Sequence, residues 1–256
     1  MRSLAFASIK GGVGKTTLAA HVAAALADAG RRTLLLDLDP QGHASLLAGV
    51  DPAHDAFCTA DAFGLRPRAR LQDVILPTAR TQLFVAPATS RMASLERDLF
   101  RWGHRLQALP RAMQALAEPF DALVMDTPPQ LNAFSEAALA ACDLMVVPLP
   151  AMAHALQGLG EIRSAWLDVN EGRGAAVAVV NLWDRRTTAT NAAVEEAFAE
   201  LEMPLARSRV LRAEALNQAG LGFALVFDYA PTSEVATCLR ELAEELWRRA
   251  GRRSAQ

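Results

Sequence analysis

The segment Ser8-Ile9-Lys10-Gly11-Gly12-Val13-Gly14-Lys15-Thr16-Thr17 carries the residue types that phosphate chemistry needs. Glycines let a backbone turn tightly and aim its N–H groups at an anion with no Cβ in the way. Lys15 is a compact cation able to reach β- and γ-phosphates, and the Thr16 hydroxyl can ligate a magnesium ion that bridges them. The segment follows the apolar run Leu4-Ala5-Phe6-Ala7 and precedes Leu18 to Leu26, whose Ala and Leu content predicts a helix. Strand, glycine-rich turn and helix is the context such a loop requires. The helix N-terminus adds partial positive charge for the same anion.

Composition points to the same place. Of 26 basic residues, only Lys10 and Lys15 are lysine. A forked, planar guanidinium does not replace an ammonium inside a tight phosphate cradle. A strong bias toward arginine has been resisted at these two positions alone.

Acids stand where strands should end. Asp37-Leu38-Asp39-Pro40-Gln41-Gly42 comes off the apolar run Thr33 to Leu36, and Asp126 closes Ala122-Leu123-Val124-Met125 before Thr127-Pro128-Pro129. Asp126 has the form of a Walker B acid, holding magnesium through water, because that ion keeps several waters and uses few carboxylates. Asn181 ends a third apolar run, with the paired donor and acceptor that could read adenine's edge; a simple turn role is the alternative.

The strict phosphate-loop pattern wants glycine at position 9, where this chain has Ile9, with Lys10 just before Gly11-Gly12. KGGVGKTT resembles the deviant phosphate loop of the ParA/MinD family, which includes partition ATPases, division-site ATPases and nitrogenase iron protein. DxDPQG and DTPP are similar to its two switch segments. The resemblance implies ATP and Mg2+ as ligands, with Gly11, Gly12, Val13, Gly14, Lys15, Thr16 and Thr17 cradling the phosphates. It further implies that Asp39 places or deprotonates the attacking water and that Asp37 joins Thr16 and Asp126 around the metal. Lys10 would reach across a homodimer, in which ATP is sandwiched, to the partner's phosphates.

Partners follow from the same resemblance. It implies non-specific DNA binding through C-terminal basic residues, here Arg185, Arg186, Arg207, Arg209 and Arg212, and a ParB-like or cargo adaptor that stimulates slow hydrolysis. Counterion release would drive such binding without base readout, although an arginine-rich chain with 28 acids also places arginines on solvated faces. Two alternatives stand beside this reading. One is a MinD-like membrane protein docking through the stretch Glu241 to Arg253; the other is an ATP-dependent scaffold in polysaccharide secretion. The nitrogenase branch is disfavoured, because Asp126-Thr127-Pro128-Pro129 offers no cysteine for a cluster.

The elements that must position these groups alternate along the chain. Strands are predicted at Thr33–Asp37, Gln82–Ala86, Ala122–Asp126, Leu144–Leu149 and Ala175–Asn181, with a short one near Phe223–Phe227. Helices are predicted around Arg91–Leu99, Gly103–Ala117, Ala133–Ala141, His154–Asn170, Asn191–Leu201 and Ser233–Ala250. Strand–helix alternation argues an α/β fold, a mostly parallel doubly wound sheet of the P-loop NTPase type with helices on both faces. Ligands in such sheets sit at the carboxyl ends of the strands. The 256 residues suit one ATPase domain, 1–250, with 251–256 as a charged, disordered tail.

A content of 52% hydrophobic and 21% charged residues excludes a disordered chain, and a net charge of −2 excludes a global pull toward nucleic acid. Cys58, Cys142 and Cys238, and the histidines His21, His43, His54, His104 and His154, show no ligand spacing. Scattered cysteines and the lack of a long apolar span or leader lead to an expectation of a cytoplasmic protein, nucleoid-associated if it binds DNA. The stretch Arg66 to Arg70 reads as a loop.

Overall fold

The computed structural model describes residues 1–52, 57–63, 67–101, 105–114, 116, 119–152 and 156–251. In chain order these form β1 (Arg2–Phe6), α1 (Lys15–Asp28), β2 (Thr33–Asp37), α2 (His43–Leu47), α3 (Thr59–Ala62), α4 (Leu71–Val74), β3 (Leu76–Pro77) and β4 (Leu83–Ala86). They continue with α5 (Met92–Arg101), α6 (Arg105–Gln114), β5 (Ala122–Asp126), α7 (Ala133–Ala141), β6 (Leu144–Pro150), α8 (Leu159–Asn170) and β7 (Ala175–Asn181). The chain closes with α9 (Thr188–Ala199), α10 (Glu214–Leu221), α11 (Val226–Tyr229) and α12 (Glu234–Ala250).

The strands make one seven-stranded sheet in the order β3-β4-β2-β5-β1-β6-β7, parallel except for β3. Its central strands, β1, β2, β5 and β6, are apolar and buried on both faces, as parallel sheets covered by helices must be. Two apolar cores form. One lies under α1, α2, α11 and α12; the other lies under α3, α5, α6, α7, α8 and α9. α1 is buried nearly all round, which fits a helix sandwiched between a sheet and further helices. α12 packs against α1 and β1 through Val235, Leu239, Leu242 and Leu246.

Register brings the chemistry together. β5 lies between β2 and β1, and its last residue, Asp126, sits beside Asp37 on one side and Phe6 on the other. The phosphate loop leaves β1 directly from that edge.

Two expectations are corrected. Phe223–Phe227 is no strand: Phe223 ends a turn at φ +49° and α11 begins at Val226. A short unalternating apolar run does not distinguish strand from buried helix, and here its apolar side chains pack on α1. The eighth helix begins at Leu159, after αL Gly158, rather than at His154. His54, Arg66, His104, His154 and the tail from Arg252 lie outside the described residues, as do parts of the predicted Gly103–Ala117 helix.

Candidate functional site

The loop after β1 is shaped by two left-handed glycines, Gly12 at φ +72° and Gly14 at φ +90°. A Cβ on Gly14 would stand 2.3 Å from Asn181 Nδ2, so glycine is required there for space as well as for conformation. Gly14 is also the N-cap of α1, and no side chain caps that end. The free N–H groups of the first turn are therefore available to an anion. Lys15 is buried, and its Nζ donates to the Lys10 carbonyl at 3.3 Å. Burial lowers its pKa, while the charges of Asp126 and Asp39 raise it.

The three acids divide into distinct environments. Asp37 is fully buried but satisfied: its Oδ2 accepts from the Ser45 N–H at 2.9 Å and from the Ser45 hydroxyl at 2.7 Å, and its Oδ1 accepts from the Asp39 N–H at 3.1 Å. Asp126 is equally buried, yet neither of its carboxylate oxygens has a hydrogen-bond partner. Burial pushes its pKa well above the usual carboxylate range, and the neighbouring Asp37 charge adds to the shift. Thr16 and Lys15 act on it in the opposite sense. Asp37 is raised too, by burial first, with the Ser45 hydrogen bonds opposing. Asp39 is half-buried at the start of the following turn, where its Oδ1 accepts from Gln41 N–H at 3.0 Å.

A buried carboxylate with two unsatisfied oxygens is costly. Next to a threonine hydroxyl and an uncapped helix N-terminus, its oxygen set suits a hydrated magnesium ion, which takes one or two carboxylates and keeps its waters. The residues present fit that ion. Ser45 was not singled out in the sequence; only its place eight residues beyond Asp37, on α2, brings it under that carboxylate.

Beyond the loop, a groove of about 660 Å3 runs between Gly12, Gly14, Thr16 and Thr17 on one side and α10 on the other. Asn181 and Leu182 form its floor, and Leu221 and Phe223, both exposed, present apolar surface to it. Asn181 Nδ2 donates to the Val13 carbonyl at 2.8 Å, and its buried Oδ1 has no partner.

The C-terminal arginines are a different matter. Arg185 pairs with Glu234 at 2.5 Å, Arg186 with Asp184 at 2.7 Å and Arg209 with Glu195 at 2.5 Å, the last also stacking over Trp183. Arg207 and Arg212 are exposed. Three of the five guanidinium groups are thus paired with carboxylates.

Residues 1–172 match the protein family described as an AAA domain. The sporulation initiation inhibitor protein Soj of Bacillus subtilis is 31% identical over 95% of this chain and 97% of its own length. The chain belongs to the ParA/MinD family of P-loop ATPases. The chromosome-partitioning ATPase Soj of Thermus thermophilus is 32% identical over 97% of this chain and 96% of that one. Among solved structures, cobyrinic acid a,c-diamide synthase of Mycobacterium smegmatis with bound ATP analogue and magnesium superposes with a TM-score of 0.81. It is 29% identical and covers 97% of this chain and 95% of its own. The doubly wound sheet expected from strand–helix alternation is the one observed.

The MinD-like alternative required the last helix to offer an apolar face. That face of α12 is buried against α1 and β1, and Trp247 is covered by the guanidinium groups of Arg2 and Arg31. Among the described residues, no helix is long and apolar enough to cross a membrane.

Proposed function

We propose that this ParA-like positioning ATPase is an ATP-dependent dimerisation switch, built in one domain over residues 1–250. It cycles between a free subunit and a dimer that holds ATP between its halves. The observation that carries this reading is the buried pair of unsatisfied Asp126 oxygens beside Lys15, Thr16 and an uncapped helix. Gly11 to Thr17 wrap the phosphates with backbone N–H groups, and Lys15 neutralises the β- and γ-oxygens. Thr16 and Asp126 would hold magnesium, which would supply positive charge to the same oxygens. Asp37, its own oxygens taken by Ser45 and Asp39, braces the turn on which Asp39 places the attacking water. Asn181 anchors the loop through Val13 and turns its free oxygen toward the base.

Hydrolysis by one subunit alone is slow, because Lys10 completes the site only from the partner, and an adaptor protein accelerates it. DNA binding is weak and salt-sensitive, since three of the five C-terminal arginines are paired with carboxylates. The protein works in the cytoplasm, on the nucleoid.

The test combines nucleotide binding with light scattering and sedimentation. Wild-type protein with ATP and magnesium is expected to dimerise and to pellet with DNA but not with anionic liposomes. Lys15→Ala is expected to bind no nucleotide. Wild-type protein that stayed monomeric with ATP, or that pelleted with lipid and not DNA, would overturn the proposal.

A further inference from the structure

The wall of the groove that faces the phosphate loop is α10 with the turn after it, ending at Phe223. Phe223 sits at φ +49°, a left-handed conformation that costs an aromatic residue energy and persists only where the surroundings hold it. Leu182, on the groove floor, is held the same way at φ +56°.

What holds the wall is His21. This residue lies on α1 and is 1% exposed. Its Nδ1–H donates to the Thr17 carbonyl at 2.7 Å, and its Nε2 accepts from the Val226 N–H, the first of α11, at 2.9 Å. An N–H arriving at Nε2 requires the neutral tautomer with the proton on Nδ1. The ring edge packs on Phe227, with centroids 5.5 Å apart. A second strap acts further along the same two helices: Arg80 bridges Asp28, at 2.6 Å, to Asp228. Phe223 also stacks against His43, centroids 6.4 Å apart, at the start of α2, and His43 lines the same groove.

We propose that His21 is a positioning residue for the nucleotide base. By hydrogen-bonding Thr17 on the phosphate-loop helix and Val226 on α11, it sets the distance between the loop and the Leu221–Phe223 wall. A base between them finds the wall already in place and pays no ordering entropy. The inference rests on the groove being the base site.

The experiment compares ATP with inorganic tripolyphosphate, which occupies the phosphate loop but has no base, as ligands of the full chain in magnesium. Two variants break the same strap from opposite ends. His21→Leu removes both ring contacts. Val226→Pro removes the N–H donor while keeping an apolar side chain in the core, at the first turn of a helix and after Leu225 at φ −77°, ψ 144°, where proline fits. Each is expected to weaken ATP binding roughly tenfold and to leave tripolyphosphate affinity and kcat unchanged. The double variant should be no weaker than His21→Leu alone, because the Val226 contact is already lost there. His21→Gln, which can donate and accept, should recover most of the loss.

Unchanged ATP affinity in both variants would overturn the inference, as would equal loss of ATP and tripolyphosphate, which marks a general defect of α1. Wild-type protein that binds ATP no better than tripolyphosphate would overturn the base-site reading and this inference with it.

Discussion

At the scale of single residues, the site is governed by which carboxylate has partners. Asp37 and Asp126 end neighbouring strands, are both fully buried, and both have raised pKa values. Yet Asp37 is held by backbone and hydroxyl donors, while neither Asp126 oxygen has a hydrogen bond of good geometry, the nearby Thr16 hydroxyl included. Removing the charge of Asp126 should therefore stabilise the metal-free protein while ruining its ligand site. Asp126→Asn is expected to raise the metal-free melting midpoint by about 3–8 °C. It should also abolish the further rise that magnesium-ADP gives the wild type, both read by thermal denaturation. A second residue-scale prediction concerns acid. Burial lowers His21 to about 4, with the Arg80 charge lowering it further and Asp228 and the Thr17 contact opposing. The folded state thus binds its proton later than the unfolded chain, whose histidine titrates near 6.5. The contribution is complete above that pH and is lost as pH falls toward 4. Wild type should lose about 3 kcal/mol more than His21→Gln across this window in urea titrations. The raised Asp pair has the opposite sign and cancels in the comparison, being common to both proteins.

At the scale of elements, the sequence was most legible where local chemistry and local structure coincide. The phosphate loop, with Asp37, Asp39 and Asp126, could be read because glycine conformations, strand ends and an uncapped helix are short-range matters. β3 escaped notice because two residues containing Pro77 carry no strand pattern and serve only as an antiparallel edge. The Phe223–Phe227 run was misread, and the partners Ser45 and Val226 were invisible, because contacts across the sequence decide all three. For the C-terminal arginines, the sequence locates the basic residues but not the carboxylates they pair with, Glu234, Asp184 and Glu195. For α12 the periodicity of Leu239, Leu242 and Leu246 fits either a lipid surface or a core, and burial decides for the core. Leu242→Ala should then cost roughly 2–5 kcal/mol of stability by leaving a cavity against α1. A lipid-docking helix would instead tolerate that change in chemical denaturation and lose liposome affinity.

At the scale of the whole molecule, the proposed switch separates the groups that would hold a subunit's own nucleotide from the lysine that would serve its partner's. Lys15, Thr16, Asp39 and Asp126 all surround the subunit's own strand ends. Lys10 lies at the outer rim of the loop, half-buried, with its backbone carbonyl engaged by Lys15. If Lys10 serves the partner's phosphates while Asp39 serves its own, defects in the two residues must lie in different sites of a mixed dimer. Lys10→Ala subunits keep Asp39 but lack the lysine they should lend; Asp39→Ala subunits keep the lysine but cannot place water. In a mixed dimer, the ATP on the Lys10→Ala subunit meets an intact Asp39 and receives an intact Lys10 from its neighbour. Mixing the two variants should therefore restore ATP hydrolysis that neither shows alone, with a rate that rises with total protein concentration. Phosphate release measured on the separate and mixed proteins checks this. A mixture as inactive as its components would place Lys10 on its own subunit's nucleotide and remove the reason for a sandwiched dimer.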